Sequence, residues 1–247
     1  MNRNHLLILT GPSCVGKSPL VHALARLYPD WMANISPLVL YNCRRPRPGE
    51  QDGQDYHFRS RLNLEAMHDN PRFVAMEVRG DLQVLDMEEL LEQLRRSSVL
   101  FEGNPFIARV LQADQRLAQV PKRSIFLSPL SREELADIEA NENAPPIADA
   151  VAEVMRRKLI RRTENQKGEL EPEDLETIYE RSHSAWREIR MASLFDRVVV
   201  NHDGEDSDNW SCAPVPIGEA RQAMEAVHAG LRGRPHLHLE SWQAALA

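Results

Sequence analysis

Short, nearly continuous apolar segments recur along the chain and alternate with segments whose apolar residues have helical spacing. The apolar segments comprise residues 6–10, 98–101, 124–127 and 195–201, the last of which contains three consecutive valines. Segments this short and this apolar are typical of strands buried on both faces of a parallel sheet. Because helical patterns lie between them, the chain predicts parallel βαβ units and an α/β fold.

The helical segments carry start and stop signals. Residues 18–27 have apolar positions at helical spacing, and this helix should end before Pro29 because proline restricts the residue that precedes it. Residues 86–96 place carboxylates early and arginines late, as the helix dipole favours. A capping box at residues 131–134 begins another helix. Helices are also predicted over residues 106–117, 175–191 and 218–231, and residues 37–40 (PLVL) are predicted to form a short strand.

Length and charge limit the classes of protein to consider. At 247 residues with 42% apolar composition, the chain suits one large domain or a core domain with insertions. Lysine and arginine total 30 against 37 aspartate and glutamate residues, a net charge of -7. General affinity for nucleic acid or for an anionic membrane is therefore not expected, and any anion-binding surface must be local.

Cysteine usage and hydropathy predict the compartment. Cys14, Cys43 and Cys212 lie far apart, which favours a reducing environment over a disulfide framework. No apolar run approaches the roughly 20 residues that a membrane-spanning helix needs, and residues 1–5 lack a signal-peptide pattern. A soluble, cytoplasmic protein is the expectation.

A phosphate-binding loop follows the first apolar segment. Residues 11–18, GPSCVGKS, fit the pattern G-x-x-x-x-G-K-[ST] between a predicted strand and a predicted helix. Glycines let backbone N–H groups turn around a phosphate, Lys17 supplies a cation for the β- and γ-oxygens, and Ser18 supplies a magnesium ligand. Pro19 is tolerated because N–H groups in the first helical turn lack intrahelical partners. The predicted ATP-binding residues are Gly11, Ser13, Cys14, Val15, Gly16, Lys17 and Ser18.

A second candidate anion-binding loop lies within residues 42–58. Arg44, Arg45 and Arg47 fall within four residues, next to Pro46 and Pro48, which restrict the backbone. Guanidinium groups bind phosphate or carboxylate oxygens through paired hydrogen bonds. A charge cluster is commonly a solvated loop, but beside a phosphate-binding loop in an acidic protein this one favours a second anion site.

Together the two loops resemble the guanylate kinase family, whose second motif is T-R-x-P-R-x-G-E-x-x-G-x-D-Y-x-F. The resemblance implies a P-loop kinase fold with a parallel five-stranded core sheet, helices on both faces, an acceptor-binding insertion and a lid. It also implies that Arg44, Arg47 and Tyr56 hold the phosphate of an acceptor nucleotide, as two guanidinium forks and a phenol donor can. The matching positions are Arg44, Pro46, Arg47, Gly49, Glu50, Gly53, Asp55, Tyr56 and Phe58.

The positions that read the base in this family are altered, so the chain resembles a divergent member. In residues 73–85, Gln83 replaces a tyrosine and Leu85 replaces a hydroxyl residue of the family pattern F-x-E-x-x-x-V-x-G-N-x-Y-G-[TS]. The expected glutamate is missing unless Glu77 substitutes, and Leu40 stands where a serine is expected. Apolar side chains discriminate bases less well than hydrogen-bonding ones. The expected acceptor-binding residues are Arg44, Arg47, Tyr56, Glu77, Gln83 and Glu102.

The resemblance assigns further roles near the end of a strand and in the lid. Glu102 lies where the family has an aspartate near magnesium, so Ser18 and Glu102 are the expected metal ligands. The alternative role for Glu102 is to cap the helix that follows. Arg162 and Arg181 resemble lid arginines that neutralise the transferring phosphoryl group. The expected catalytic residues are Lys17, Arg44, Arg162 and Arg181.

The resemblance also implies a division of the chain. Residues 1–38, 97–135 and 192–231 form the expected P-loop core, and residues 39–96 the acceptor-binding subdomain. Residues 136–191 form an enlarged lid region, and residues 232–247 a C-terminal tail.

These features predict a phosphotransferase that uses ATP and Mg²⁺ to phosphorylate a phosphomonoester, with a nucleoside monophosphate such as GMP as the leading acceptor. One alternative is a related kinase for a ribose phosphate, a bisphosphate or another phosphorylated metabolite. The other is a non-catalytic guanylate-kinase-like binding module, against which Lys17 and Ser18 argue because both are present. The expected partner is a small phosphorylated acceptor, bound by a monomer or homodimer.

Overall fold

The computed structural model describes residues 4–47 and 49–242. Residues 1–3 of the segment without a signal-peptide pattern, Pro48 of the arginine motif and residues 243–247 of the expected tail lie outside the described residues. Within the described ranges, no helix has both the length and the apolar composition needed to cross a bilayer.

Two β-sheets organise the described residues. Their strands are β1 (Leu6–Thr10), β2 (Ile35–Pro37), β3 (Leu40–Asn42), β4 (Tyr56–Phe58), β5 (Phe73–Val78), β6 (Asp81–Asp86), β7 (Ser98–Gly103), β8 (Lys122–Ser128) and β9 (Arg197–Val200). The core sheet has the strand order β2-β7-β1-β8-β9, and every neighbouring pair in it is parallel. This arrangement confirms the five-stranded parallel sheet expected from the sequence.

Helices cover both faces of the core sheet. Alternate residues of β1 show this directly, because Leu6 and Ile8 join one buried apolar cluster whereas Leu7 and Leu9 join another. The helices are α1 (Lys17–Leu27), α2 (Pro29–Met32), α3 (Arg61–Glu65), α4 (Met87–Arg96), α5 (Pro105–Ala113), α6 (Arg132–Ala140), α7 (Ile147–Lys167), α8 (Pro172–Ile189) and α9 (Gly218–Leu231).

Helix boundaries follow the capping residues of the sequence. Asp86 caps α4 by accepting hydrogen bonds from the backbone N–H groups of Glu88 and Glu89. Ser131 and Glu134 form the predicted capping box of α6. The helix predicted over residues 106–117 is shorter than expected, because α5 ends at Ala113 and a separate 3₁₀ turn covers Gln115–Leu117.

The second sheet has the order β4-β3-β6-β5 and lies in the acceptor-binding insertion expected from the sequence. The prediction of one strand over residues 37–40 is wrong. Pro37 ends β2 in the core sheet, and Leu40 begins β3 in the second sheet. The apolar run is continuous in sequence, but the two residues between these strands carry the chain from one sheet to the other.

Two long helices lie in the region expected to be the lid. α7 and α8 pack against each other and are connected by residues 168–171. Pro146 is the residue that precedes α7. Arg162 on α7 and Arg181 on α8 thereby come from two different helices of the same hairpin.

Candidate active site

The phosphate loop turns sharply between β1 and α1. Gly11 and Gly16 have φ angles of 149° and 91°, and Cys14 has a φ of 63°. Space is restricted as well, because a Cβ at Gly11 would lie 2.3 Å from the carbonyl oxygen of Leu127. Only glycine meets both constraints at this position, which explains the glycine that opens the loop.

Lys17 is folded back onto its own loop. Its Nζ donates hydrogen bonds to the carbonyl oxygens of Gly11 at 3.0 Å and Pro12 at 2.6 Å, and the side chain is 8% exposed. Burial lowers the pKa of this ammonium group, whereas the carboxylates of Glu205 and Glu102 oppose that change. The hydrogen-bond partners of the Lys17 ammonium group among the described residues are therefore uncharged carbonyl oxygens.

Ser18 and Glu102 meet across the site. The Ser18 hydroxyl donates a 2.6 Å hydrogen bond to Oε1 of Glu102, and the pKa of that carboxyl is raised by burial. Glu102 belongs to β7, the neighbour of β1 in the sheet, which explains how two residues distant in sequence come together. The alternative capping role is excluded, because Asn104 caps α5 by accepting from the N–H of Ile107.

Arg44 and Arg47, in the loop between β3 and β4, differ in their contacts with carboxylates and in their pKa values. Arg44 forms two 2.6 Å hydrogen bonds to the carboxylate of Glu50 and lies 5.0 Å from the centre of the Tyr56 ring. Burial opposes the charge of Arg44, but the bonds to Glu50 raise its pKa. Burial and the neighbouring Arg44 and Arg162 instead lower the pKa of Arg47 to about 10.

Two arginines of the site lack a carboxylate partner. Within the described part of the chain, neither Arg47 nor Arg181 has a carboxylate oxygen within 4 Å of its guanidinium group. Burial, and then Arg47 and other arginines, lower the pKa of Arg181 well below its ordinary value. Crowded cations of this kind favour binding of an anion between them.

The second lid arginine is paired with a loop of the core. Arg162 is 8% exposed, its Nη1 lies 3.1 Å from Oε2 of Glu205, and its Nε has no hydrogen-bond partner. Burial opposes the charge of Arg162, but Glu205 raises its pKa overall. In turn, burial opposes ionisation of Glu205, while Arg162 and Lys17 lower the pKa of that carboxyl.

The segment after β9 supports the phosphate loop from behind. The side-chain amide of Asn201 donates to the carbonyl oxygens of Val15 and Asp203, and the indole of Trp210 also donates to Asp203. Trp210 is 7% exposed and packs in the apolar cluster beneath α1 and α9. The tryptophan therefore has a packing role.

One cavity of about 270 Å³ brings the predicted chemistry together. It lies between the core sheet, the second sheet and the lid helices. The predicted residues that line it are Gly11, Ser13, Cys14, Lys17, Ser18, Arg44, Arg47, Tyr56, Gln83, Glu102, Arg162 and Arg181.

Several predicted residues do not line this cavity. Glu77 faces away from it and forms hydrogen bonds to Arg61 at 2.5 and 3.3 Å, so its expected role in reading the acceptor is a mistaken prediction. Its neighbour Val78 lines the cavity instead, because adjacent residues of a strand point to opposite faces. Val15 packs in the core, and Gly16 lies behind the loop, so their side-chain positions do not line the cavity.

Sequence reasoning gave no site role to several residues that line the cavity, among them Arg79, Asp81, Asn104 and Glu205. Asp81 carries a pKa that burial raises against the opposing charge of Arg181. No local signal identifies Glu205. Asp81 lies within residues 73–85, and Asn104 lies two residues after Glu102, so both were close to positions that the family resemblance had marked.

Sequence comparison places the chain among known enzymes. The family model for guanylate kinase matches residues 3–158. The guanylate kinase of Corynebacterium jeikeium is 30% identical over 209 residues, covering 82% of this chain and 91% of that protein. The guanylate kinase of Desulfitobacterium hafniense is 29% identical over 250 residues, covering 96% and 98% of the two chains.

A solved structure shows the same fold. The crystal structure of guanylate kinase from Anaplasma phagocytophilum superposes with a TM-score of 0.55 at 18% identity. The similar region covers 93% of this chain and 85% of that one.

Proposed function

Because this chain belongs to the guanylate kinase family, we propose that it transfers the γ-phosphoryl group of ATP to GMP within the cavity described above. The observation that carries the proposal is the position of Lys17 and of the unpaired Arg47 and Arg181. They come from the phosphate loop, the acceptor insertion and the lid, yet they line one cavity. Phosphoryl transfer requires two phosphate-bearing substrates to meet in this way, and its catalysis consists largely of positioning and charge stabilisation.

The donor binds at the phosphate loop. The backbone N–H groups of residues 13–18 turn around the β-phosphate, and Lys17 exchanges its bonds to Gly11 and Pro12 for phosphate oxygens. The exchange is favourable because the ammonium group trades neutral carbonyl partners for anionic ones in a buried position.

The acceptor phosphate binds between Arg47, Tyr56 and Arg44. Glu50 holds Arg44 in place, so Arg47 is the cavity-lining arginine of this loop whose charge is left for an anion. Arg181 approaches from the lid and, with Arg162, neutralises the phosphoryl group in transit. Arg162 has an unsatisfied buried Nε, which a phosphate oxygen would satisfy.

Magnesium fits the oxygen pair formed by Ser18 and Glu102. A hydroxyl and a carboxylate 2.6 Å apart are hard ligands, and Mg²⁺ is typically held by one or two protein oxygens together with water and phosphate. When bound, the ion would offset the charge of the donor phosphates. Ser18 and Glu102 would orient it at the carboxyl end of β7.

The two other functions drawn from the sequence are not favoured. The relatives described above are named guanylate kinases, rather than sugar-phosphate kinases. An inert binding module would not need Lys17, Ser18 and Glu102 in one place. Cytoplasmic location, a monomeric or homodimeric state, and the absence of nucleic-acid and membrane partners stay predictions.

A Lys17→Ala variant tests the proposal. We expect the turnover of GMP with ATP to fall by at least about 10²–10³-fold, the scale for removal of one charge-stabilising group. ADP release is measured by a coupled assay, and circular dichroism verifies folding. Lys122→Ala is the matched control, because the Lys122 side chain bonds to the Gln112 carbonyl outside the cavity. Retained turnover in Lys17→Ala would refute the assignment.

An acceptor screen complements this variant. GMP, dGMP, AMP, CMP, UMP and sugar phosphates are offered with ATP at equal concentration, and kcat/KM is compared. A preference for GMP is expected, whereas a preference for a sugar phosphate would contradict the proposal.

A further inference from the structure

The orientation of the Asn104 side chain is fixed by a helix terminus. Asn104 is the N-cap of α5, and its Oδ1 accepts a 3.0 Å hydrogen bond from the N–H of Ile107. Only the oxygen of the carboxamide can accept from an N–H group, so chemistry sets which end faces the helix. The amino group of Asn104 must therefore point the other way.

The orientation of Asn104 in turn fixes the orientation of the Gln83 carboxamide. Nδ2 of Asn104 donates a 3.0 Å hydrogen bond to Oε1 of Gln83, and both side chains are more than nine-tenths buried. The oxygen of Gln83 is engaged by this bond, whereas its amino group has no hydrogen-bond partner among the described residues. Gln83 lines the cavity, and it therefore presents hydrogen-bond donors to a ligand there.

The surroundings make this donor selective. Leu40 and Val78 line the same cavity with apolar surface, and Leu85 is fully buried in the core. Asp81 is the carboxylate that the second sheet contributes, and it lies among arginines. The amino group of Gln83 is thus an uncharged hydrogen-bond donor in this part of the cavity, and its orientation is fixed by the bond to Asn104.

We propose that Asn104 is a positioning residue that makes Gln83 a donor to the 6-carbonyl oxygen of a purine nucleotide. The inference rests on the proposed function, and it names the basis of base selection at that site. A 6-oxopurine such as GMP accepts a hydrogen bond from Gln83. A 6-aminopurine such as AMP presents an amino group at the same place. The amino groups of Gln83 and of the base would then face each other, and at least one would have no hydrogen-bond acceptor.

Substitution of Asn104 by aspartate reverses the direction of this pair. An aspartate still caps α5, but its second oxygen can only accept, so the Gln83 carboxamide turns to donate to it and presents Oε1 to the cavity. We expect the ratio of kcat/KM for GMP over AMP to fall by about 10- to 100-fold, the scale of one mismatched buried polar group. The saturating kcat for GMP should change much less than its KM.

Two further variants make the test independent of added charge at one position. Gln83→Glu presents a carboxylate oxygen directly and should lower the same ratio. Asn104→Ser keeps a capping hydroxyl but leaves Gln83 free to turn, so an intermediate ratio is expected. Asn141→Asp, an exposed substitution outside the cavity, is the matched control and should leave the ratio at the wild-type value.

The outcomes separate base reading from phosphoryl transfer. A fall of the ratio in Asn104→Asp and Gln83→Glu, with Asn141→Asp unchanged, supports the inference. Equal losses for GMP and AMP overturn it, because Gln83 would then act on the shared phosphate or only on folding. A wild-type protein that uses AMP as well as GMP also overturns it, while phosphoryl transfer itself is judged by Lys17→Ala.

Discussion

Replacing either partner of the Arg79–Glu188 ion pair by methionine should strongly destabilise the protein. Arg79 lies in the turn between β5 and β6, and Glu188 lies on α8. The pair therefore joins the second sheet to the lid helices. Nε and Nη2 of Arg79 lie 2.8 and 2.6 Å from the two carboxylate oxygens, and Ser184 donates a third hydrogen bond at 2.6 Å. The Glu188 side chain is fully buried, and that of Arg79 is 12% exposed.

The magnitude follows from what remains after substitution. Glu188→Met leaves a nearly buried guanidinium group without its carboxylate, and Arg79→Met leaves the carboxylate with only Ser184. Removing one partner of a buried pair typically costs about 3–5 kcal/mol of unfolding free energy, whereas replacing both by apolar groups is frequently close to neutral. The double variant Arg79→Met/Glu188→Met should therefore be more stable than either single variant.

Urea unfolding followed by circular dichroism measures these differences. With an m value of about 2–3 kcal/mol per molar urea, each single variant should lower the midpoint by about 1–2.5 M. The same cycle at Arg221 and Glu225 is the control. This exposed pair on α9 has an Nε–Oε1 distance of 2.8 Å, and its substitution should cost at most about 1 kcal/mol. Additive losses at Arg79 and Glu188, or losses below about 1 kcal/mol, would refute the reasoning.

Two more predictions concern the cavity. In Gly204→Ala, a Cβ would lie 2.3 Å from the Cys14 carbonyl oxygen, so the phosphate loop must shift. We expect the KM for ATP to rise about tenfold or more in steady-state assays. An unchanged KM would contradict this prediction. Because the pKa of Arg47 is lowered to about 10, its cation is present below that pH and lost above it, so kcat/KM for GMP at saturating ATP should fall as pH rises through about 10. Guanine itself titrates in this range, so Arg47→Gln is compared, and an identical alkaline limb in both proteins would exclude Arg47 as its cause.

The phosphate loop and the arginine loop could be predicted from the sequence because each is formed by residues that are close together in the chain. Gly11 is required by the turn that it makes, and Lys17 lies six residues further along the same loop. The partner of Arg44 is also local, since Glu50 belongs to the same motif. Alternating apolar segments and helices likewise predicted the parallel sheet, because both periods are properties of the chain itself.

The face on which a residue lies was decided by the tertiary structure. Glu77 and Val78 are adjacent in β5, and a shift by one residue in strand register exchanges the side chain that faces the cavity. A sequence match that is weak over residues 73–85 cannot set that register. The continuous run PLVL was likewise misread as one strand, because the change of sheet depends on pairing with distant strands.

Charge pairing in the site also required the folded chain. Arg162 and Glu205 are separated by more than forty residues and come from the lid and from the segment after β9, yet they form an ion pair. Arg79 and Glu188 likewise form an ion pair although they lie 109 residues apart, and Gln83 and Asn104, 21 residues apart, are joined by a hydrogen bond. The sequence by itself determined which cations and carboxylates this protein has and that two loops can bind phosphate. Only the fold decided which cations are neutralised and which, like Arg47 and Arg181, lack a carboxylate partner among the described residues, because electrostatic and hydrogen-bond energies depend on distance in space.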